Sequence, residues 1–529
     1  AKGGTTNFSN DVLELKVDNK GGYISEAKLK KFKTFDSIPV YLIRDGNASF
    51  NLNFTTSDGR VMNTKDMYFE PSLSSNGENK VLSMKLKVSE DEYLEYQYTL
   101  KPGEYMMDFS IKSKGLTNVF NPSGDVNMEW DLKGYRHSKS ISYENRYTKL
   151  NYTYGDGEDD DLGIGKSEDG IEKDVHYLAY TQHFFSSILL TDTPFSKATL
   201  HSENLVENED IDTTYTKSFS SVVSLDRKNG ELNYDMNWFY GPTDYKLLKS
   251  YDRDLDEIVP LGWGIFAWIN KHVFIPFFAF LSSFLPSYGI AIIVMTIVVR
   301  IVLSPVTYKS YLSQAKMKIL KPEINELNEK YKDNAMKKQQ ETMKLYSKAG
   351  ASPMSGCLPA LLQIPVFYAL FRFFPSAIQL RQKGFLWADD LSSYDTVAQL
   401  PFKIPFYGDH VSLFPILASV AIFFYMQMTT GQSMQTQQQG MPNMKFLMYL
   451  SPLMMLFFFN NYASGLSLYY FTSNLITIGI MLVIKHVIID EDKIHAKIQA
   501  NKKKPKKQSK FSRKMQEMME QAEKQKNSK

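Results

Sequence analysis

Five stretches of this 529-residue chain, 286–304, 357–381, 411–429, 446–461 and 465–484, contain no Asp, Glu or His. Crossing a bilayer's hydrocarbon core takes about 20 helical residues, and these stretches run from 16 to 25. GIAIIVMTIVVRIVL, SLFPILASVAIFFYM, FLMYLSPLMMLFFF and LITIGIMLVI are too uniformly apolar for surface helices. One such run can be a buried core helix. Five of them between residues 286 and 484 imply a polytopic membrane protein.

The mean hydropathy of −0.31 hides this, because two unlike halves are averaged. Residues 1–258 carry a net charge of −13 and residues 259–529 a net of +16. The basic charge lies between the apolar stretches. Segment 309–348 holds ten Lys against five acids, and 485–529 holds fourteen Lys/Arg against six, whereas loop 382–411 is net −2. Lys and Arg accumulate on the cytoplasmic side. That rule places 309–348, 430–445 and the tail inside, and loop 382–411 outside. With five spans, residues 1–258 then also lie outside. A translocated domain needs a signal, and AKGGTTNFSN has none, so an upstream anchor helix is expected.

Residues 1–250 read as β structure. LELKVD (13–18), VLSMKLKV (81–88), YLEYQYTL (93–100) and MDFSIK (107–112) alternate apolar and polar residues between turn signals. Many strands with few helical runs predict a large antiparallel sandwich. Residues 251–285 follow as a Trp- and Phe-rich amphipathic helix, with Lys271 and His272 in its middle, suited to the membrane interface. A five-helix core occupies 286–485, interrupted at 309–348 by a hairpin of two amphipathic helices. Its apolar seam at Met317, Leu320, Ile324 and Leu327 reads as partner-facing. A basic tail, 486–529, completes the chain.

Catalytic constellations are scarce. There is no HExxH, no GxGxxG after a strand and no GxSxG elbow. GIGKS at 163–167 resembles the end of a phosphate loop, but the required Gly is Asp160, and DGEDDD at 156–161 would repel a nucleotide. The acids read as a solvated loop and miss EF-hand spacing. One cysteine, Cys357, excludes an intramolecular disulfide and a Cys-based zinc site. Carboxylate and histidine are missing from the spans, which leaves no proton relay of the usual kind. Neither enzyme chemistry nor a cofactor is expected.

The spans do contain Arg300, five residues before Ser304 and Pro305, where the first span is expected to end. A charge within a bilayer costs about 2.5–3.5 kcal/mol on insertion scales. Snorkelling over roughly 7 Å to the interface is one way to keep the guanidinium wet. A water-filled cavity open to the cytoplasm is the other. Thr296, Gln363, Gln427, Ser467, Tyr470, Ser473 and Asn474 are polar residues able to line such a cavity.

Several long motifs resemble the YidC family of membrane protein insertases. They are MTIVVRIVLSPVTYKSYLSQAKMKILKPEINELNEKY (295–331), SPMSGCLPALLQIPVFYALFRFF (352–374), IQLRQKGFLWADDLSSYD (378–395) and SGLSLYYFTSNLITI (464–478). The resemblance covers about 260–500, and more loosely the β domain, a β-supersandwich in Gram-negative members. It implies a bacterial inner-membrane insertase and chaperone, whose hydrophilic groove opens to the cytoplasm and the lipid. It implies that nascent membrane proteins are received there and their apolar helices released into the bilayer, alone or with a Sec translocon. Arg300 matches the family's groove arginine, and Thr296 and Tyr470 match other groove positions. The hairpin would receive substrate near the ribosome, and the tail, with KKKPKK at 502–507, would meet ribosomal RNA or anionic lipid.

Arg372 departs from the family pattern. It is a candidate second groove charge, or a residue facing the outer interface or the β domain. A channel or transporter is the alternative reading, carried only by polar residues within spans. A glycan-binding β domain on a helical anchor is a third, but five spans and a long hairpin exceed what an anchor needs.

Overall fold

A computed structural model describes residues 3–332, 334–351, 358–430 and 444–503. The chain divides into two compact units. The first comprises Ala1–Trp263, Phe371–Asp395 and Asn461–Ser464, and the second comprises Gly264–Leu370, Thr396–Asn460 and Gly465–Lys529. The expected inner loop 430–445, the first residues of the SPMSGC motif and the tail beyond Lys503 fall largely or wholly outside the described residues.

The first unit is built from three antiparallel sheets of nine, six and four strands. Period-two patterning explains them. In Tyr93–Leu100 the buried residues are Leu94, Tyr96, Tyr98 and Leu100, and in Val126–Tyr135 Val126, Met128, Trp130 and Leu132 point inward. Facing aromatics weld the nine- and six-stranded sheets. Trp130 of the smaller sheet stacks on Tyr180 of the larger at 3.8 Å between centroids, and meets Trp238 edge-on at 4.8 Å. Phe50 adds edge contacts to Tyr96, Phe109 and Trp238. The Tyr180 hydroxyl is not left dry, since it reaches the Trp130 carbonyl at 2.8 Å and the Ser221 hydroxyl at 2.7 Å. Two sheets sharing an aromatic core make the expected sandwich.

One local expectation changes. The acidic run at 156–161 is not wholly loop, because Glu158–Leu162 forms an outer strand of the nine-stranded sheet against Lys149–Tyr154. Donors on the neighbouring strands make this tolerable. Lys149 Nζ pairs with Asp161 at 2.8 Å, Tyr152 and Tyr177 donate to Asp160 and Asp159 at 3.3 and 3.1 Å, and Thr153 donates to Asp159.

The second unit is mainly helical, with a two-stranded sheet of Ala398–Ile404 and Gly408–Val411. Gly264–Phe284, Tyr288–Ile319 and Ser464–Ile488 are long and apolar enough to cross a membrane, and Leu361–Ser376, whose last residues from Phe371 count with the first unit, Leu413–Met428 and Tyr449–Phe459 are shorter apolar helices. The stretch expected to lie in the interface therefore contains a helix of 21 residues, Gly264–Phe284, with a π-helical turn at Asn270–Phe274. We label the helices used below α1 (Tyr288–Ile319), α2 (Lys321–Lys330), α3 (Ala335–Ala349), α4 (Leu358–Ser376), α5 (Leu413–Thr430), α6 (Met444–Phe459), α7 (Ser464–Val483) and α8 (Glu491–Lys503).

Helix α1 does not stop at Pro305, which lies inside it. Proline lacks the N–H that would bond to the carbonyl four residues back, and helix breaks usually follow. Here that carbonyl belongs to Ile301, and the Ser304 hydroxyl donates to it at 2.8 Å. The helix thus continues to Ile319. Helices α2 and α3 form the expected hairpin, but its seam is occupied. Leu320 and Ile324 are buried with Ala315, Ala349 and Ala351 against Ile494 and Ile498 of α8, with Met317 packed alongside. Lys318 pairs with Glu491 at 2.8 Å, and Lys502 Nζ lies 2.5 Å from Glu323.

Candidate substrate site in the helical unit

The exposed side of α1 is apolar, with Ile301 60% and Val302 70% accessible, as a lipid-facing helix requires. Arg300 is only half-buried and turns its donors to two other helices. Its Nε donates to the Ser473 hydroxyl of α7 at 2.6 Å, and Nη1 donates to Gln363 Oε1 of α4 at 3.0 Å. Nη2 also donates to Ser473. Gln363 in turn lies 3.5 Å from the Tyr469 hydroxyl. Among the described residues no carboxylate pairs with Arg300. Neutral oxygens orient the guanidinium without cancelling its charge, which leaves a fixed positive centre among apolar helices.

On α7, polar atoms sit buried without partners. The Ser467 and Tyr470 hydroxyls have no hydrogen-bond acceptor or donor among the described residues. Tyr470 packs between Phe367 and Phe459, at 5.1 and 5.3 Å between centroids, and lies within electrostatic reach of Arg300. A buried hydroxyl left unpaired costs about 1–3 kcal/mol, so this lining suits a polar guest or water.

The sequence candidates divide accordingly. Arg300, Gln363 and Ser473 are joined directly, with Tyr470 beside them. Thr296 and Asn474 are buried but bond to their own helices, Thr296 to the Ile292 carbonyl at 2.6 Å and Asn474 to the Tyr470 carbonyl at 2.9 Å. Gln427 donates to the Tyr449 hydroxyl at 3.1 Å, away from the arginine's hydrogen bonds. Arg372 belongs to the first unit. Its Nε is buried without a hydrogen-bond partner, and its charge acts on Tyr147. Two hydroxyls escaped the sequence reading. Tyr469 contacts Gln363, and Tyr425 of α5 lies within electrostatic reach of Arg300. A tyrosine inside an apolar run was the available signal.

The phosphate-loop fragment is satisfied internally. Backbone N–H groups of Gly163, Ile164 and Gly165 all donate to the Glu168 carboxylate, the latter two at 3.1 and 2.8 Å. Those donors hold the carboxyl below its usual range.

Comparison with known proteins follows the same division of the chain. Residues 280–494 match the family model described as 60Kd inner membrane protein, and residues 5–276 match the one described as YidC periplasmic domain. A relative from Parabacteroides distasonis, named membrane protein insertase YidC, is 43% identical over 97% of this chain and 82% of its own length. One of the same name from Porphyromonas gingivalis is 38% identical over 98% of this chain and 84% of its own. A crystal structure titled as an active YidC insertase with its first transmembrane domain resolved shares 20% identity, covers 90% of this chain and 92% of its own, and has a TM-score of 0.35.

Proposed function

This chain belongs to the YidC family of membrane protein insertases, and on that premise we propose that Arg300 is the charge with which it receives a client. The chain is an inner-membrane protein with a periplasmic β domain, and its relatives are named insertases rather than enzymes. What supports the finer reading is one observation: the guanidinium is fixed by Ser473 and Gln363 and faces no carboxylate among the described residues. An acidic or polar outer segment of a nascent membrane protein enters a wet groove beside Arg300. At an effective dielectric near 20, a charge pair 4 Å apart is worth about 4 kcal/mol before desolvation. The client's apolar helix then partitions into lipid at about 25 cal/mol per Å² buried, without nucleotide.

In this reading five helices cross the bilayer, the hairpin α2–α3 and the basic tail are cytoplasmic and face the ribosome, and a Sec translocon is an optional partner. Arg372, set among first-unit residues, serves the periplasmic side rather than the groove. The test is crosslinking of stalled nascent chains. A photoreactive residue at Tyr470 should capture a client's outer segment, and one on the exposed face at Val302 should capture its apolar helix. Absence of client adducts from both positions would remove the groove.

A further inference from the structure

In the β domain, away from the helical unit, Arg44 follows the strand Pro39–Ile43, an outer strand of the four-stranded sheet. Its guanidinium carbon lies 4.7 Å from the Tyr135 ring centroid and 5.4 Å from that of Tyr41. Cation–π contact with two rings holds the plane of the guanidinium. Nε is buried and makes no hydrogen bond, although Asp45, its side chain 78% exposed, pairs with it at 3.6 Å. The Tyr135 hydroxyl, pushed up to about 12 chiefly by burial, lies within hydrogen-bonding reach of the same guanidinium, which opposes that shift.

The group opens onto a cleft of about 180 Å³. Across it Arg136 lies over the Phe35 ring at 4.4 Å, its Nε and Nη2 bound to the carbonyls of Ser138 and Lys139. Asp36, the acid lining this cleft, already accepts from the Thr34 hydroxyl. Thr213 and Thr214 supply further hydroxyls at the rim. Two arginines converge on a cleft within a domain whose net charge is −13. Strand addition is not what this edge offers, because the outward carbonyls of Tyr41 and Leu42 are capped by His137 at 3.0 Å and Asn47 at 3.0 Å.

We propose that this cleft binds a small soluble oxyanion, a carboxylate or a phosphate, gripped in the plane of the Arg44 guanidinium with Arg136 as the second charge. A planar fork matches two oxygens of one such group. The cleft volume admits a molecule of sugar-acid size.

The experiment is isothermal titration of the full chain in detergent micelles at constant ionic strength, with inorganic phosphate in one arm and succinate in the other. Wild type should bind one or both saturably. Phosphate alone assigns a phosphate ligand, succinate alone a carboxylate, and both together the shared fork. Arg44→Gln should weaken binding at least about tenfold, and Arg44→Lys, which keeps charge and ring contacts but not the fork, by several-fold. Arg60→Gln, on an exposed turn elsewhere in the same domain, should bind as wild type does. Near-UV circular dichroism of Arg44→Lys separates loss of the fork from loss of fold. No saturable binding by wild type, or wild-type binding by both Arg44 variants, overturns the proposal.

Discussion

Arg300 Nε and the Ser473 hydroxyl meet at 2.6 Å, joining α1 and α7 across 173 residues of sequence. A snorkelling arginine would extend towards the membrane surface. This one donates to Ser473 of α7 and Gln363 of α4, so its charge is held at a fixed point in the bundle.

Charge should therefore matter more than shape at position 300. Arg300→Lys should keep insertion, Arg300→Ala should weaken it for clients with acidic outer segments, and Arg300→Glu should reject them. Clients with neutralised segments should change little. The measurement is protease protection of one single-span client, in acidic and neutralised forms, inserted into vesicles by wild type and the three variants. Equal loss for both client forms means that Arg300 only holds the helices together.

The contact between α8 and the hairpin leads to a second expectation. Helix α2 has ten residues, and isolated helices shorter than about 12–15 are marginal in water. Its order rests on Ile324 and Leu320 packing against Ile494 and Ile498. Ile498→Ala should cost about 2–5 kcal/mol of local stability. Hydrogen exchange should then accelerate across 321–330 and leave α7 unchanged. Unaltered exchange in α2 would show that the hairpin is ordered by something else.

Those two cases also mark where the sequence was legible. The period-two run of Leu94, Tyr96, Tyr98 and Leu100 announces its strand, because alternation is a local property of one chain segment. The apolar stretches announce their helices for the same reason. Pro305 marks the expected end of the first span; that the helix itself runs on to Ile319 was not legible, since cover of the Ile301 carbonyl by Ser304 depends on one hydroxyl rotamer. The hairpin seam was recognisable as apolar, but its partner, 170 residues downstream, was not. Periodicity shows that a face must be covered and never by what. Arg300 stands out as a charge inside an apolar span, whereas Gln363 and Ser473 are two among seven polar residues whose neighbours only the fold supplies.

In the β domain, Trp130 and Tyr180 carry the join between the two larger sheets. Trp130→Ala removes the ring that stacks on Tyr180 and abuts Trp238, and should cost about 3–5 kcal/mol. Tyr180→Phe keeps the stack but leaves the Trp130 carbonyl and Ser221 hydroxyl short of a partner, costing about 1–3 kcal/mol. Urea unfolding followed by near-UV circular dichroism should order wild type, Tyr180→Phe and Trp130→Ala in falling midpoint. A Trp130→Ala midpoint equal to that of wild type would mean that the sheets are held together elsewhere.

His183 should make the stability of the same domain fall in acid. It is buried, stacked on Phe184 at 3.8 Å and on Tyr147 at 4.6 Å, with Nε2 at 2.8 Å from the Pro375 carbonyl. That carbonyl accepts, so Nε2 carries the proton of the neutral ring and buried Nδ1 has no partner. Burial is the main cause that lowers the pKa from 6.5 to about 4. The unfolded chain consequently binds a proton between pH 6.5 and 4 that the folded chain refuses, and stability falls as pH falls through that window. At 1.36 kcal/mol per pH unit the loss is on the order of 3 kcal/mol, complete by about pH 4. His183→Phe has no proton to take up and should flatten this part of the profile, although it gives up the bond to Pro375 and starts from a lower stability. Urea midpoints of wild type and His183→Phe at half-unit intervals from pH 7 to 4, as a rough grid, should converge as the pH falls. Parallel curves would show that another group controls the acid loss.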